Sequence, residues 1–262
     1  MDTLVKINNI SGGYHKTIII KGVSFEIEKG DFLGIIGPNG SGKSTLLRLM
    51  SRVLPLTSGD IFLEKKNISQ MSLKEFCSSV AFVPQDTSIN FSFSVNEIVL
   101  MGRIPHLKRM QFETKKDFET VEHSLSLTDT LYIKEKQINE ISAGEQQRVI
   151  IAKALAQEPM LLFLDEPTSH LDIAHQVQIL DLLKRLNREK GLTIVMVVHD
   201  LNLASEYCNR MILLNEGAVF KNDIPEEVLT YQNIEAVYKT VVVVNKNPIS
   251  SKPYVMLVTG ER

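Results

Sequence analysis

Apolar residues along this chain gather into short uninterrupted runs, and each run stops at a cluster of small, turn-forming or charged residues. The runs at 32–36, 80–83, 160–164, 193–198 and 211–214 are too short for helices and show no polar alternation. That is the pattern of parallel strands buried on both faces. They end, in order, at Gly37-Pro38-Asn39-Gly40, Pro84-Gln85, Asp165-Glu166-Pro167, His199-Asp200 and Asn215-Glu216-Gly217. Helical spacing lies between them, in Leu46, Leu47, Leu49 and Met50, then at 95–101, 118–127 and 149–156. The clearest helix is 173–190, with Ile173, Val177, Leu180, Leu183 and Leu186 on one face, Asp172 as N-cap and Gly191 past its end. Strands alternating with helices, with carboxylates or histidine at the strand C-termini, predict an α/β fold around a parallel sheet whose site lies along that edge.

Two parts of the chain depart from this rhythm. The first 63 residues are rich in short β pieces, at 4–7, 18–20, 23–27 and 61–63, with turn signals at Ser11-Gly12-Gly13, Lys29-Gly30-Asp31 and Ser58-Gly59-Asp60. From Asp86 to about Glu158 the residues turn charged at helical spacing, which predicts a mostly helical insertion. The end, 241–258, reads as two short strands around Asn247-Pro248, an appended hairpin. The expected organisation is one domain over 1–240, made of a core at 1–85 and 159–240 with a helical subdomain at 86–158, followed by a β tail at 241–262.

Composition narrows the class without naming it. With 262 residues, 44% of them hydrophobic, the chain can bury a full core. No stretch approaches the roughly 18 apolar residues that span a bilayer, and the start MDTLVKINNI lacks the pattern of a signal peptide, so a cytoplasmic chain is expected. A net charge of −2 gives no electrostatic reason for a nucleic-acid partner. Cys77 and Cys208 lack metal-ligand spacing and are expected to be reduced thiols packed as small apolar groups.

The chemistry begins at GPNGSGKST, Gly37 to Thr45, between the strand at 32–36 and a helix. A glycine-rich turn there aims backbone N–H groups and a helix N-terminus at one point, which is a seat for a polyphosphate. Lys43 would reach the β- and γ-phosphates and Ser44 would ligate Mg²⁺. Asp165 is placed to hold Mg²⁺, and Glu166 to polarise an attacking water. Read alone, that acidic pair is equally a solvated strand end. His199 could contact the γ-phosphate and Gln85 could offer its amide to Mg²⁺ or the water, although a lone histidine is usually structural and a lone glutamine a polar loop residue. The segment Ile141-Ser142-Ala143-Gly144-Glu145-Gln146-Gln147-Arg148 opens another apolar helix, as a second anion seat or an ordinary helix cap.

Taken in order, these segments resemble the ATP-binding subunits of ABC transporters over about residues 4–216. GPNGSGKST matches the Walker A loop, Gln85 the Q-loop, ISAGEQQR the signature usually written LSGGQ, and LLFLDEP the Walker B strand with its catalytic glutamate. Ser169-His170-Leu171-Asp172 matches the D-loop and His199 the switch histidine. The resemblance implies a P-loop NTPase (RecA-like) core with an antiparallel β subdomain and a helical insertion. It places Gly37, Pro38, Asn39, Gly40, Ser41, Gly42, Lys43, Ser44 and Thr45 on the phosphates of ATP, with Tyr14 stacked on adenine. Ser44, Gln85 and Asp165 serve Mg²⁺, and Glu166, His199 and Gln85 serve hydrolysis. Ser142, Ala143, Gly144, Glu145 and Asp172 complete the nucleotide site of a second copy, which implies a head-to-tail dimer with two ATP at its interface. Ala143 departs from the usual glycine, and its methyl group would weaken closure on the γ-phosphate.

Narrower likenesses point to one branch. Leu100-Met101-Gly102-Arg103-Ile104-Pro105-His106, the run from Asp165 to Gln176, and His199-Asp200-Leu201-Asn202-Leu203-Ala204 resemble subunits that energise uptake of iron-siderophores, haem and cobalamin. By the same resemblance the stretch 91–106, with Phe91, Phe93, Val95, Ile98 and Val99, faces an integral membrane permease supplied by an extracytoplasmic solute-binding protein; core packing explains those residues about as well. Such a subunit works at the cytoplasmic face of the membrane. The basic pairs Lys108-Arg109 and Lys115-Lys116 read as a solvated face, and His170 with His175 lacks the further ligands of a metal site. The rivals are a soluble ABC ATPase without a membrane partner, an importer of another solute, a small-molecule kinase, and a regulatory module without turnover.

Overall fold

The computed structural model describes residues 2–15, 17–87, 91–108, 110–169, 171–258 and 260. In chain order the elements are β1 (Thr3–Tyr14), β2 (Thr17–Glu28), β3 (Phe32–Ile36), α1 (Lys43–Met50), β4 (Ser58–Leu63), β5 (Lys66–Asn67), α2 (Leu73–Ser79) and β6 (Val80–Val83). They continue with α3 (Val95–Leu100), α4 (Lys115–Leu127), α5 (Ala143–Ala156), β7 (Leu161–Asp165), α6 (Ile173–Lys190), β8 (Thr193–Val197) and α7 (Leu201–Tyr207). The last are β9 (Arg210–Asn215), β10 (Ala218–Asp223), α8 (Pro225–Val228), α9 (Tyr231–Tyr238), β11 (Val242–Lys246) and β12 (Pro253–Leu257). They fall into two compact units, Met1–Gln70 with Thr193–Arg262, and Met71–Leu192. The division differs from the one expected at 86 and 158, because β6, β7 and α6 belong with the helices of the second unit.

In the first unit, β3 is buried along its whole length and pairs in parallel with both β8 and β9, while β10 runs antiparallel to β9. This is the doubly covered parallel arrangement that the uninterrupted apolar runs predict. A separate antiparallel sheet has the order β2-β1-β4-β5. Here the sequence reading needs two corrections. Ser11-Gly12-Gly13 is no turn but lies within β1, and the chain reverses only after Tyr14, which faces Thr17. The glycines serve close approach instead: a β-carbon on Gly13 would overlap Thr17 O and lie 2.8 Å from Ile19 N. Likewise 18–20 and 23–27 form one strand, β2, passing through Gly22 at φ 63°.

The expected C-terminal hairpin is present, with Val242 opposite Leu257 and Lys246 opposite Pro253. It is fastened to α7 by polar contacts. Asn202 bonds the backbone of Val255 through both amide atoms, and Ser205 Oγ donates to Pro253 O at 2.7 Å. Lys252 Nζ donates to the carbonyls of Ser205 and Glu206 at 2.9 and 3.1 Å, where a cation suits a helix C-terminus. Cys77 is half-buried, and Cys208 is fully buried beside Gly34.

In the second unit, β6 and β7 pair in parallel, Val80 opposite Leu161 through Val83 opposite Leu164. The insertion is helical as expected, and its core takes Val95, Ile98, Val99, Val121, Leu125, Val149 and Ile151. Val95, Ile98 and Val99 are therefore core residues and form no part of an outward face. Phe91 and Ile104 remain exposed, at 72% and 63%. Arg103, from the branch-like segment, is also internal: its Nε bonds Asp117 at 2.9 Å, and its Nη1 bonds Ala156 O at 2.6 Å and Glu158 at 2.7 Å. Arg109 lies outside the described residues.

Thr114 and the Arg103 guanidinium hold the Asp117 carboxyl down at about 2, from its ordinary 3.8. A depressed carboxyl stabilises the fold above its unfolded value and loses that contribution as pH falls through its folded one. Replacing one partner of such a buried pair leaves the other uncompensated and costs about 3–5 kcal/mol. At pH 7, urea unfolding should find Arg103→Met less stable by up to that amount and Asp117→Asn by less, since Arg103 keeps Glu158 and Ala156 O. The gap between wild type and Asp117→Asn should narrow as pH is lowered from about 4 toward 2; a constant gap would deny the pair its role.

Candidate functional site

The phosphate loop is shaped by its backbone. Gly37, Gly40 and Gly42 take φ of 150°, 81° and 101°, values that side chains oppose, and nothing lies within 4 Å of where a Gly40 β-carbon would sit. Gly42 is the N-cap of α1 and supplies no side-chain bond to it, and the first turn carries no acidic residue. The helix N-terminus is thus left to an outside anion. Ser41 Oγ is buried without a hydrogen-bond partner, a polar atom whose cost is recovered only when a ligand reaches it. Lys43 is 5% exposed and lies across the loop, with Nζ 2.9 Å from Gly37 O and 3.2 Å from Pro38 O. An open cradle, an orphaned hydroxyl and an enclosed cation fit a triphosphate.

Neighbours in the same unit hold the loop. Ser41 N donates to Pro38 O and Ser41 O accepts from Gly217 N, while Gly217 O accepts from Lys21 N. The Tyr238 phenol is hydrogen-bonded to the backbone of Gly37, and burial pushes it up to about 12. No sequence signal marked Tyr238, which is two hundred positions from its partner. Tyr14, expected on adenine, sits at the end of β1 with its hydroxyl 2.8 Å from Arg48 Nη1. Asn39 is exposed, Pro38 and Ser44 are half-buried and Thr45 is buried. His199 is exposed in the turn after β8, and Asp200 beside it caps α7.

In the second unit, Asp165 is the last residue of β7 and is fully buried. Glu166 follows with φ 51°, a left-handed conformation that costs a non-glycine residue about 1–2 kcal/mol. Ser169 holds that turn, its N–H and hydroxyl donating to Glu166 O at 3.1 and 2.9 Å. Gln85 Nε2 donates to Glu166 Oε2 at 2.7 Å, so two residues proposed from separate runs are brought together. His170 lies outside the described residues.

The signature turn closes on itself. Ser142 caps α5, its hydroxyl and N–H both bonded to Glu145 Oε2, and Glu145 N donates back to Ser142 Oγ. Tyr132 adds a bond from its hydroxyl to Glu145 Oε1 at 2.7 Å, and these donors hold the Glu145 carboxyl at about 2. Glu145, expected among the nucleotide-binding residues, is committed to the chain's own helix cap. Ala143 is exposed and Gly144 buried. Asp172 caps α6 as the sequence predicts, accepting from His175 N.

A glycine cradle that opens a helix around an enclosed lysine is the mark of the phosphate-loop class of nucleoside-triphosphatases; the second unit, taken by itself, carries a buried aspartate followed by a strained glutamate. The model of the ABC transporter family matches residues 20–169. The chain belongs to that family, as one of its ATP-binding and ATP-hydrolysing domains. Among curated relatives, the ABC transporter ATP-binding protein YvrA of Bacillus subtilis (strain 168) is 43% identical over 97% of this chain, which spans only 58% of YvrA. The iron(3+)-hydroxamate import ATP-binding protein FhuC of the same organism is 39% identical, over 92% of this chain and 90% of its own length. Among solved structures, a metal-chelate type ABC transporter in an inward-facing conformation superposes with TM-score 0.85 at 28% identity, over 98% of this chain and 97% of that one. The dimeric ABC transporter cassette MJ0796 gives TM-score 0.73 at 29% identity, over 84% and 98%.

Lys43→Ala removes the cation that lies across the loop. ATP affinity measured by calorimetric titration should fall at least about tenfold, or roughly 1.4 kcal/mol, and an unchanged dissociation constant would refute the role of Lys43.

Proposed function

We propose that this chain is the ATP-hydrolysing subunit of an importer for a metal chelate of the iron-siderophore, haem or cobalamin type. Two copies act head to tail at the cytoplasmic face of a membrane, under a permease that receives its solute from an extracytoplasmic binding protein. Among the described residues no helix is long and apolar enough to cross a membrane, so the route for solute belongs to other subunits. The observation that carries the reading is the extent of the structural likeness. The metal-chelate transporter matches 98% of this chain, the tail hairpin included, whereas the MJ0796 cassette matches 84%. The fuller match supports the metal-chelate reading over a likeness of the ATPase cassette alone.

The roles follow from chemistry. Ser44, Asp165 and Gln85 offer a hydroxyl, a carboxylate and an amide oxygen, hard donors suited to Mg²⁺. The ion would neutralise charge on the phosphates. Lys43 and the loop amides hold the β- and γ-phosphates. Glu166 polarises the attacking water, its carboxylate steadied by Gln85, and His199 contacts the γ-phosphate. Ser142 and Gly144 meet the nucleotide of the partner copy; Ala143, exposed beside them, brings its methyl to that interface. ATP favours the closed pair because its γ-phosphate touches both copies, and hydrolysis removes that differential contact.

Glu166→Gln should lower steady-state phosphate release at least about 100-fold while ATP binding survives, since general-base catalysis contributes roughly 10²–10⁴-fold. Normal turnover in that variant would remove Glu166 from the mechanism. In its native membrane the tagged chain should co-purify with a polytopic permease, and vesicles holding the assembly should take up a radiolabelled iron chelate only with ATP. A chain that stays soluble and alone would favour the partner-free ATPase.

A further inference from the structure

One ring beside the signature turn has no part in phosphate chemistry. His175, in the first turn of α6, lies over Gly144 in the first turn of α5, where a β-carbon would overlap its Cδ2 and lie 2.9 Å from Cγ and 3.0 Å from Nε2. The ring is not free to swing away. Asp172 Oδ1 accepts from the His175 backbone N–H at 2.9 Å and lies 2.8 Å from Nδ1, which makes Nδ1 the protonated nitrogen because a carboxylate only accepts. Gly144 is buried and keeps a negative φ, so backbone strain does not demand glycine there. Room for the ring does.

We propose that His175 is a positioning residue: held by Asp172, its ring locks the signature turn to the D-loop end of α6, so that both meet the second copy as one rigid edge. The assignment rests on the dimer reading above. It gives Gly144 a role within its own chain, in addition to any approach by a partner's nucleotide, and it predicts that the glycine requirement is conditional on the histidine.

The test uses the full chain in a Glu166→Gln background, reading ATP-driven dimerisation by sedimentation velocity and monomer ATP affinity by titration. His175→Ala should weaken dimerisation at least about tenfold with ATP affinity unchanged within about twofold and the circular dichroism of the parent. Gly144→Ala should weaken it about 100-fold, and Gly144→Ala with His175→Ala should recover to about the level of His175→Ala alone, since the methyl then enters vacated space. A silent His175→Ala, or a double variant no better than Gly144→Ala, overturns the assignment while a dimerising parent leaves the dimer reading intact. A parent that remains monomeric with ATP brings down both.

Discussion

A polyphosphate can be gripped by backbone at a helix start that no side chain caps, and α1 begins in that way. Gly42 opens α1 in a left-handed conformation with no capping side chain, directly after a strand buried at every residue. Unsatisfied donors at a helix start are a standing cost, which a bound anion offsets. Everything near the loop serves to keep it open. Gly217 and Tyr238 bond its backbone from elements far along the chain, and Lys43 bridges two of its carbonyls instead of leaving for solvent. Rigidity of this kind means that phosphate binding need not first order the loop, so little binding energy is lost to conformational entropy.

The acidic end of β7 shows a second use of stored energy. Asp165 is the last of five buried residues in a row, and the chain then turns sharply at Glu166 in a region that side chains avoid. Ser169 and Gln85 over-determine that turn, one through the Glu166 carbonyl and one through its carboxylate. A carboxylate on a relaxed strand end would sample several rotamers; this one is directed by its bond to Gln85, as the proposed in-line activation of water would require.

Such features divide into those the sequence announces and those it hides. Strands 80–83 and 32–36 and the helix 173–190 are found where their apolar patterns put them, because burial on both faces or on one stripe leaves a direct trace in residue type. Asp172 as N-cap was equally legible, since capping is local. The turn expected at Ser11-Gly12-Gly13 misled because glycine marks close backbone approach as readily as reversal, and one sequence does not separate the two. β10, α8 and α9 left no clear pattern: they are short, and β10 has no fully buried residue. The site residues found by motif all lie at strand or helix ends. Tyr238 and Tyr132, which no motif marked, touch partners brought near only by the fold, and His175, weighed in the sequence only as a metal ligand, meets Gly144 in the same way.

The starts of α1, α5 and α6, which carry proposed site residues, are treated differently, and the difference bears on their proposed work. α1 is uncapped and takes an anion from outside. α6 is capped by Asp172, whose carboxylate the His175 N–H and ring hold below its ordinary value. α5 carries a complete capping box in which Ser142 and Glu145 satisfy one another, with Tyr132 bonded to the remaining oxygen of Glu145. A helix N-terminus that already holds its own carboxylate is a poor seat for a second anion, since two negative charges about 8 Å apart repel by about 2 kcal/mol at an effective dielectric of about 20. In the proposed dimer the signature turn would therefore meet a γ-phosphate only once Lys43 and Mg²⁺ of the other copy had neutralised most of its charge. On that proposal each half of the pocket would be inert alone, and closure of the pair would be tied to a loaded phosphate loop instead of to free anions in the surrounding solution.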